Sequence, residues 1–319
     1  MDGFSGAMVC GRLPRSDSTA AVHRLVRDGH AEAGEFGKAV GADRARLLEA
    51  QKGFAFASGG QSDWLDLLRP IAKTFGGFER RETAGEDSVG PVTRWFRTNT
   101  FYRKPNIVSE ISCEGGEIAD ALPGLKGGIL SLIGPYTFAA LVQDSHYSDP
   151  AELALGYMNA VAKSLPAVQR KGYNCLVLLE PGVGYDLSRE GLRESGWAAE
   201  CISLAKAEGW QLGVHFPLAD ARHAIAVAEE SEADFLGIDC LRTEPEGVST
   251  GKGLLLGVAD GARAGIEALE TSEKMVREFA GAEFSGKFYV GSNDRLWDVP
   301  FGVALEKIML LSQLSGRLG

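Results

Sequence analysis

Residues 211–240 read QLGVHFPLADARHAIAVAEESEADFLGIDC, and no other stretch limits the fold as tightly. A short apolar run, Leu212-Gly213-Val214, ends on His215. The segment 221–230 then sets Ala, Ile and Val at helical spacing on one face, with Glu229 and Glu230 on the other. A second apolar run, Phe235-Leu236-Gly237-Ile238, ends on Asp239 and Cys240. This succession predicts strand, helix, parallel strand. Each strand delivers a titratable side chain at its carboxyl end, the end where parallel α/β folds keep their chemistry.

The unit recurs along the chain. Short apolar runs begin at Met8, Phe54, Ile129, Cys175, Leu212, Phe235, Leu254 and Phe288. Helical patterns over 19–27, 44–51, 64–75, 150–170, 188–208, 272–279 and 303–314 stand between or after them. Eight strands with helical crossovers predict an α/β protein, a (β/α)8 TIM barrel spanning 1–319 as one domain. The weak joint is 241–253, short for a crossover helix. An open doubly wound sheet is the alternative, but no Gly-rich phosphate loop follows the first strand. The segment 77–126 breaks the repeat. Its 91–105 portion is rich in aromatic, β-branched and Arg residues, so it predicts an inserted β-hairpin lobe between strands 2 and 3, with 107–112 pairing to it. Its arginines and aromatics suit either a packed sheet face or a lid presenting Arg and Tyr to an anion.

The residues just after the strands should converge on one mouth: Arg12, then Gln61 and Asp63 with Trp64, Thr137, Glu180, His215, Asp239, Asp260, and Asn293 with Asp294. Such residues also serve as helix caps, and each alone says little. His215, Asp239 and Asp294 together offer one nitrogen and two carboxylates, a set suited to zinc or iron with an open position. The same residues also fit a hydrogen-bonded His–Asp pair with no metal. Asp239, Glu180 and Asp260 are the candidate catalytic acids or bases. His23, His30 and His223 fall in helical, solvated stretches.

The net charge of −10 disfavours nucleic acid and anionic membranes as partners. No apolar run approaches the length of a membrane span. The opening MDGFSGA has neither a basic nor an apolar segment, so no secretion signal is expected. Five scattered cysteines without a CxxC fit a reduced, cytoplasmic setting.

Several stretches carry a family resemblance. Arg94-Trp95-Phe96-Arg97-Thr98-Asn99-Thr100-Phe101-Tyr102 is similar to W-F-x-T-N-x-x-Y, and Ile133-Gly134-Pro135-Tyr136-Thr137-Phe138 to a G-P-V-T-F loop. Leu179-Glu180-Pro181 stands where the pattern has D-E-P, Gly257-Val258-Ala259-Asp260-Gly261 is similar to G-V-V-D-G, and 236–242 to L-x-L-D-L-V-R. From about Met8 onward the chain resembles cobalamin-independent methionine synthase, whose two halves are each a (β/α)8 barrel.

The resemblance implies methyl transfer from a folate or other methyl carrier to a thiol such as homocysteine, without cobalamin. Zinc would bind the thiol and lower its pKa. It also implies substrate contacts from Asn99, Tyr102 and Arg103, beside Arg12, Gln61, Asp63, Trp64 and Asn293. Arg94, Arg97 and Arg103 would hold the carrier's acidic tail. The chain departs from the catalytic half's His-x-Cys, Glu and Cys zinc ligands, which here read His215 with Pro217, Asp239 and Asp294. The aspartate of D-E-P is also absent. These losses match the amino-terminal half, so the alternative is a non-catalytic barrel that pairs with a separate catalytic one.

Overall fold

In the computed structural model, which describes residues 1–80, 89–96, 98, 100–185, 196–281, 284 and 286–319, eight short strands form one sheet. They are β1 (Phe4–Ala7), β2 (Ala57–Ser58), β3 (Gly128–Ile133), β4 (Tyr173–Leu179), β5 (Gln211–Phe216), β6 (Phe235–Asp239), β7 (Gly253–Ala259) and β8 (Phe288–Ser292). The spatial order is β1-β8-β7-β6-β5-β4-β3-β2, and every pairing is parallel. The two end strands of this order meet, because the Ala55 amide donates to the Ala7 carbonyl at 2.9 Å. The sheet is therefore curled until its edges touch.

The apolar runs become strands because a parallel sheet covered on both faces can use apolar residues at successive positions. All six residues of β3 and all five of β6 are buried. The first run is displaced. The strand lies at Phe4–Ala7, while Met8 still donates its amide to Val290 of β8 at 3.0 Å.

Helices cover the outside where the sequence supplies starts for them. Ser16 caps Asp17–Arg27 by accepting from the Thr19 amide, and Asp43 accepts from both the Ser16 amide and its hydroxyl at 2.8 and 3.0 Å. Asp149 caps Pro150–Arg170 with proline at the first position. The pattern over 64–75 forms a helix only at Arg69–Thr74. Of the predicted 188–208 helix, Trp197–Ser203 is helical and 188–195 lies outside the described residues. No helix stands between β6 and β7 among the described residues. There the chain turns at once, with Arg242 and Thr243 donating to the Asp239 carbonyl.

Between β2 and β3, Val92–Arg94 pairs antiparallel with Phe101–Arg103. The expected pairing of 107–112 with this hairpin does not occur. Asn106–Ser112 instead lies between Gly76–Phe78, antiparallel, and Gln143–Asp144, parallel. Trp95 and Tyr102 turn inward and are buried, which ties the hairpin to the core. No helix among the described residues is long and apolar enough to cross a membrane.

Candidate functional site

The ends of β5, β6 and β8 meet in one hydrogen-bonded group. Asp239, the last residue of β6, is fully buried. Its Oδ1 accepts from the Leu241 amide and from Asn293 Nδ2, each at 3.1 Å. Its Oδ2 lies 3.3 Å from Arg242 Nε but makes no hydrogen bond. Burial pushes the carboxyl up to about 6, against the pull of Asn293, Arg242 and the Leu241 amide. Asn293 spends its remaining groups locally. Its Oδ1 accepts from the Gly261 amide at 2.8 Å, and its carbonyl accepts from His215 Nε2 at 2.9 Å. A carbonyl only accepts, so Nε2 carries the proton.

That tautomer leaves Nδ1 of neutral His215 as the lone-pair nitrogen. Nδ1 faces the β6 backbone, and a Cβ placed on Gly237 would lie 2.3 Å from it. Burial lowers the pKa of His215, with Asp294 opposing, so the ring stays neutral near pH 7. Asp294 is buried with its own pKa raised by burial. The expected metal trio of His215, Asp239 and Asp294 is therefore not assembled. Among the described residues, no group of three His, Cys, Asp or Glu could hold a metal ion. Neither zinc nor iron fits this donor set.

Glu180, at the end of β4, is buried and committed to a helix start. It accepts from the Tyr136 and Thr137 amides at 2.9 and 2.8 Å and from the Thr137 hydroxyl at 2.5 Å. These are the first residues of the helix Pro135–Leu141, whose free amides and dipole favour a carboxylate. Gly134 is required, because a Cβ there would stand 2.4 Å from the Glu180 carboxyl. Burial pushes Glu180 up to about 7, while the three donors pull it back.

Asp260 lies beyond β7 and accepts from the Ala262 amide at 2.8 Å, with Arg263 at 3.7 Å. With Leu241, Arg242, Ile266 and Asn293 it lines an open cleft of about 500 Å³. Asp239 lies behind that cleft, next to Arg242.

The other expected contacts divide. Gln61 pairs both its amide atoms with the backbone of Ser131, each at 3.0 Å, and so extends the two-residue β2 along β3. Asp63 lies 4.0 Å from Arg44. Trp64 is a buried core residue. Tyr102 is buried and donates its hydroxyl to the Leu141 carbonyl at 2.9 Å. Arg103 donates from Nη1 to the Gly90 carbonyl at 3.1 Å. Asn99 and Arg97 lie outside the described residues. Arg94 is exposed, stacked 5.8 Å over Phe101.

Arg12 is buried at the mouth, stacked 3.4 Å over Trp297. Beside it lies a residue that reading strand ends missed, Arg295, stacked 4.7 Å over Trp95. The available signal was its position. Arg295 and Trp297 follow β8 as directly as Arg12 follows β1.

No family model matches the sequence, and no curated protein matches it either. Solved structures do match. A B12-independent methionine synthase from a Shewanella species, solved with selenomethionine, superposes with a TM-score of 0.77 at 15% identity, covering 98% of this chain and 97% of that one. A putative vitamin-B12-independent methionine synthase from Listeria monocytogenes gives 0.71 at 14% identity, covering 100% and 99%. A methyltransferase from Methanosarcina mazei gives 0.57 at 10% identity, covering 97% and 94%. Over nearly its whole length this chain has the fold of B12-independent methionine synthase structures.

Proposed function

We propose that this chain is a methyltransferase that moves a methyl group from a folate or other methyl carrier to a thiol such as homocysteine. The observation that carries the reading is Asp239. It is a buried carboxyl with one oxygen free of hydrogen bonds, held near neutrality beside the cleft, on a fold shared with methionine synthase structures. Such a group is a general base of suitable pKa.

Asp239 Oδ2 takes the thiol proton and the sulfur attacks the methyl carbon. The bond from that carbon to the carrier breaks with its electron pair left on the carrier, and the proton passes to that atom. A free thiol titrates near ~8.5, so the proton transfer is uphill by roughly 3 kcal/mol, within reach of general-base catalysis. Asn293 holds the carboxylate in place, Asp260 and Arg242 line the cleft, and exposed Arg94 suits an acidic tail of the carrier. His215 orients Asn293 through its carbonyl. No step passes through zinc, because the residues do not fit it. The whole chain is read as one closed (β/α)8 domain, with 77–126 as a lobe beside its mouth.

A second reading rests on the packing of His215 Nδ1 against Gly237. A barrel without a metal-holding group suits a non-catalytic partner of a separate catalytic barrel. One experiment separates the two. The purified protein is given a methylated folate and homocysteine, with and without a zinc chelator, and methionine is measured by mass spectrometry. Chelator-resistant methionine formation that is lost in Asp239→Asn supports the first reading. No turnover, with co-elution of the chain and a catalytic methionine synthase barrel on size exclusion, supports the second.

A further inference from the structure

Two arginines at the barrel mouth have no use in the scheme above. Arg12 follows β1 and Arg295 follows β8, and these strands pair. Gly11, at φ +76°, lets them approach. A Cβ there would lie 2.8 Å from Arg295 Cβ and 3.6 Å from Leu179 at the end of β4. Arg295 therefore packs directly against Gly11, beside Arg12.

Both side chains are out of solvent, at 2% and 4% exposure. Nε and Nη2 of each are buried and donate to nothing among the described residues. Buried polar groups are almost always hydrogen-bonded, so idle donors on two neighbouring guanidinium groups need a reason. Burial and then the charge of Arg295 lower the pKa of Arg12, yet a guanidinium does not give up its proton within a protein. Both stay charged.

The surrounding carboxylates are already engaged. Asp66 accepts from the Leu68 and Arg69 amides, from Arg69 Nε and from the Arg103 amide. Asp298 accepts from the Thr100 hydroxyl at 2.6 Å and reaches Arg295 Nη2 only at 3.6 Å. A third cation, Arg15, stacks 5.5 Å from the same Trp297, with Nε and Nη2 donating to the Ser62 and Asp63 carbonyls. Buried Asp294 is the remaining carboxylate close to Arg295, and burial raises its pKa while the charge of Arg295 opposes that shift. Stacking on Trp297 and Trp95 engages each guanidinium by its face and leaves the Nε and Nη2 donors of its edge for an acceptor with two oxygens.

We propose that Arg12 and Arg295 form a binding site for one oxyanion group, a carboxylate or a phosphate, borne by a small molecule that enters the barrel mouth. The site stands whether or not the chain transfers methyl groups.

The test is direct binding, with no enzymatic readout. The purified full chain is titrated with sodium phosphate and, separately, with sodium succinate. Sodium chloride at equal ionic strength is the control. Tryptophan fluorescence and the melting temperature are followed. A saturable change with phosphate alone assigns a phosphate-bearing ligand. One with succinate alone, or with both, assigns a carboxylate or a general oxyanion site.

Arg295→Met and Arg12→Met should each weaken the binding at least tenfold, and Arg295→Lys should weaken it because the fork is lost. Circular dichroism establishes that each variant folds, and if one does not, the other two decide. A response no larger than that of chloride for both anions overturns the proposal. So does an unchanged affinity in the folded variants.

Discussion

Replacing Asp239 with asparagine removes one buried charge and little else. Asparagine keeps an oxygen for the Leu241 amide and for Asn293 Nδ2. The position of Oδ2, which makes no hydrogen bond, can take the new amide nitrogen. The carboxyl titrates at about 6 in the fold, against ~3.9 in an unfolded chain, which costs the folded state roughly 3 kcal/mol at neutral pH. That value already includes the attraction of half-exposed Arg242.

Asp239→Asn should therefore raise stability by about 3 kcal/mol at pH 7.5. The sign follows from linkage. The fold binds this proton more tightly than the unfolded chain does. Wild-type stability thus recovers relative to the variant as pH falls from above 6 toward 4, and the variant's advantage disappears there. Urea unfolding followed by circular dichroism at pH 7.5 and pH 4.5 reads both numbers. A variant less stable than wild type at pH 7.5, or an advantage equal at both pH values, would refute the reasoning. A stabilising change that also ends methyl transfer is the pattern expected of a residue kept for chemistry.

Two other substitutions probe the packing around the site. Gly237→Ala forces a Cβ to 2.3 Å from His215 Nδ1 between two buried strands and should cost upward of ~2 kcal/mol, read as a lower urea midpoint; an unchanged midpoint would contradict the close approach of the His215 ring to β6. Glu180→Ala strands two buried amides and the Thr137 hydroxyl and should cost on the order of 3 kcal/mol. A thermal melt that moves by less than a degree would show that the helix start does not depend on this carboxylate.

Much of the fold was legible because burial on both sides of a parallel strand leaves an unbroken apolar run. The runs at Ile129, Leu212 and Phe235 each proved to be strands. The helix Pro150–Arg170 was legible from its Asp-Pro start and apolar face. The pairing of Asn106–Ser112 was not, because alternation marks a strand without naming its neighbour. For the same reason the strand-end residues could be gathered at one mouth, but their partners could not be named.

The amino-acid order alone marked the six barrel strands from Gly128 to Ser292, and showed that their carboxyl ends lead to polar side chains and that the fold is parallel α/β. These follow from local periodicity and short-range caps. The tertiary structure alone decided that His215 spends its proton on the Asn293 carbonyl, that Glu180 serves the Pro135–Leu141 helix, and that Arg12 and Arg295 lie buried together with idle donors. Each of those facts depends on atoms brought together from distant strands, where the last few tenths of an ångström choose between a hydrogen bond and an ion.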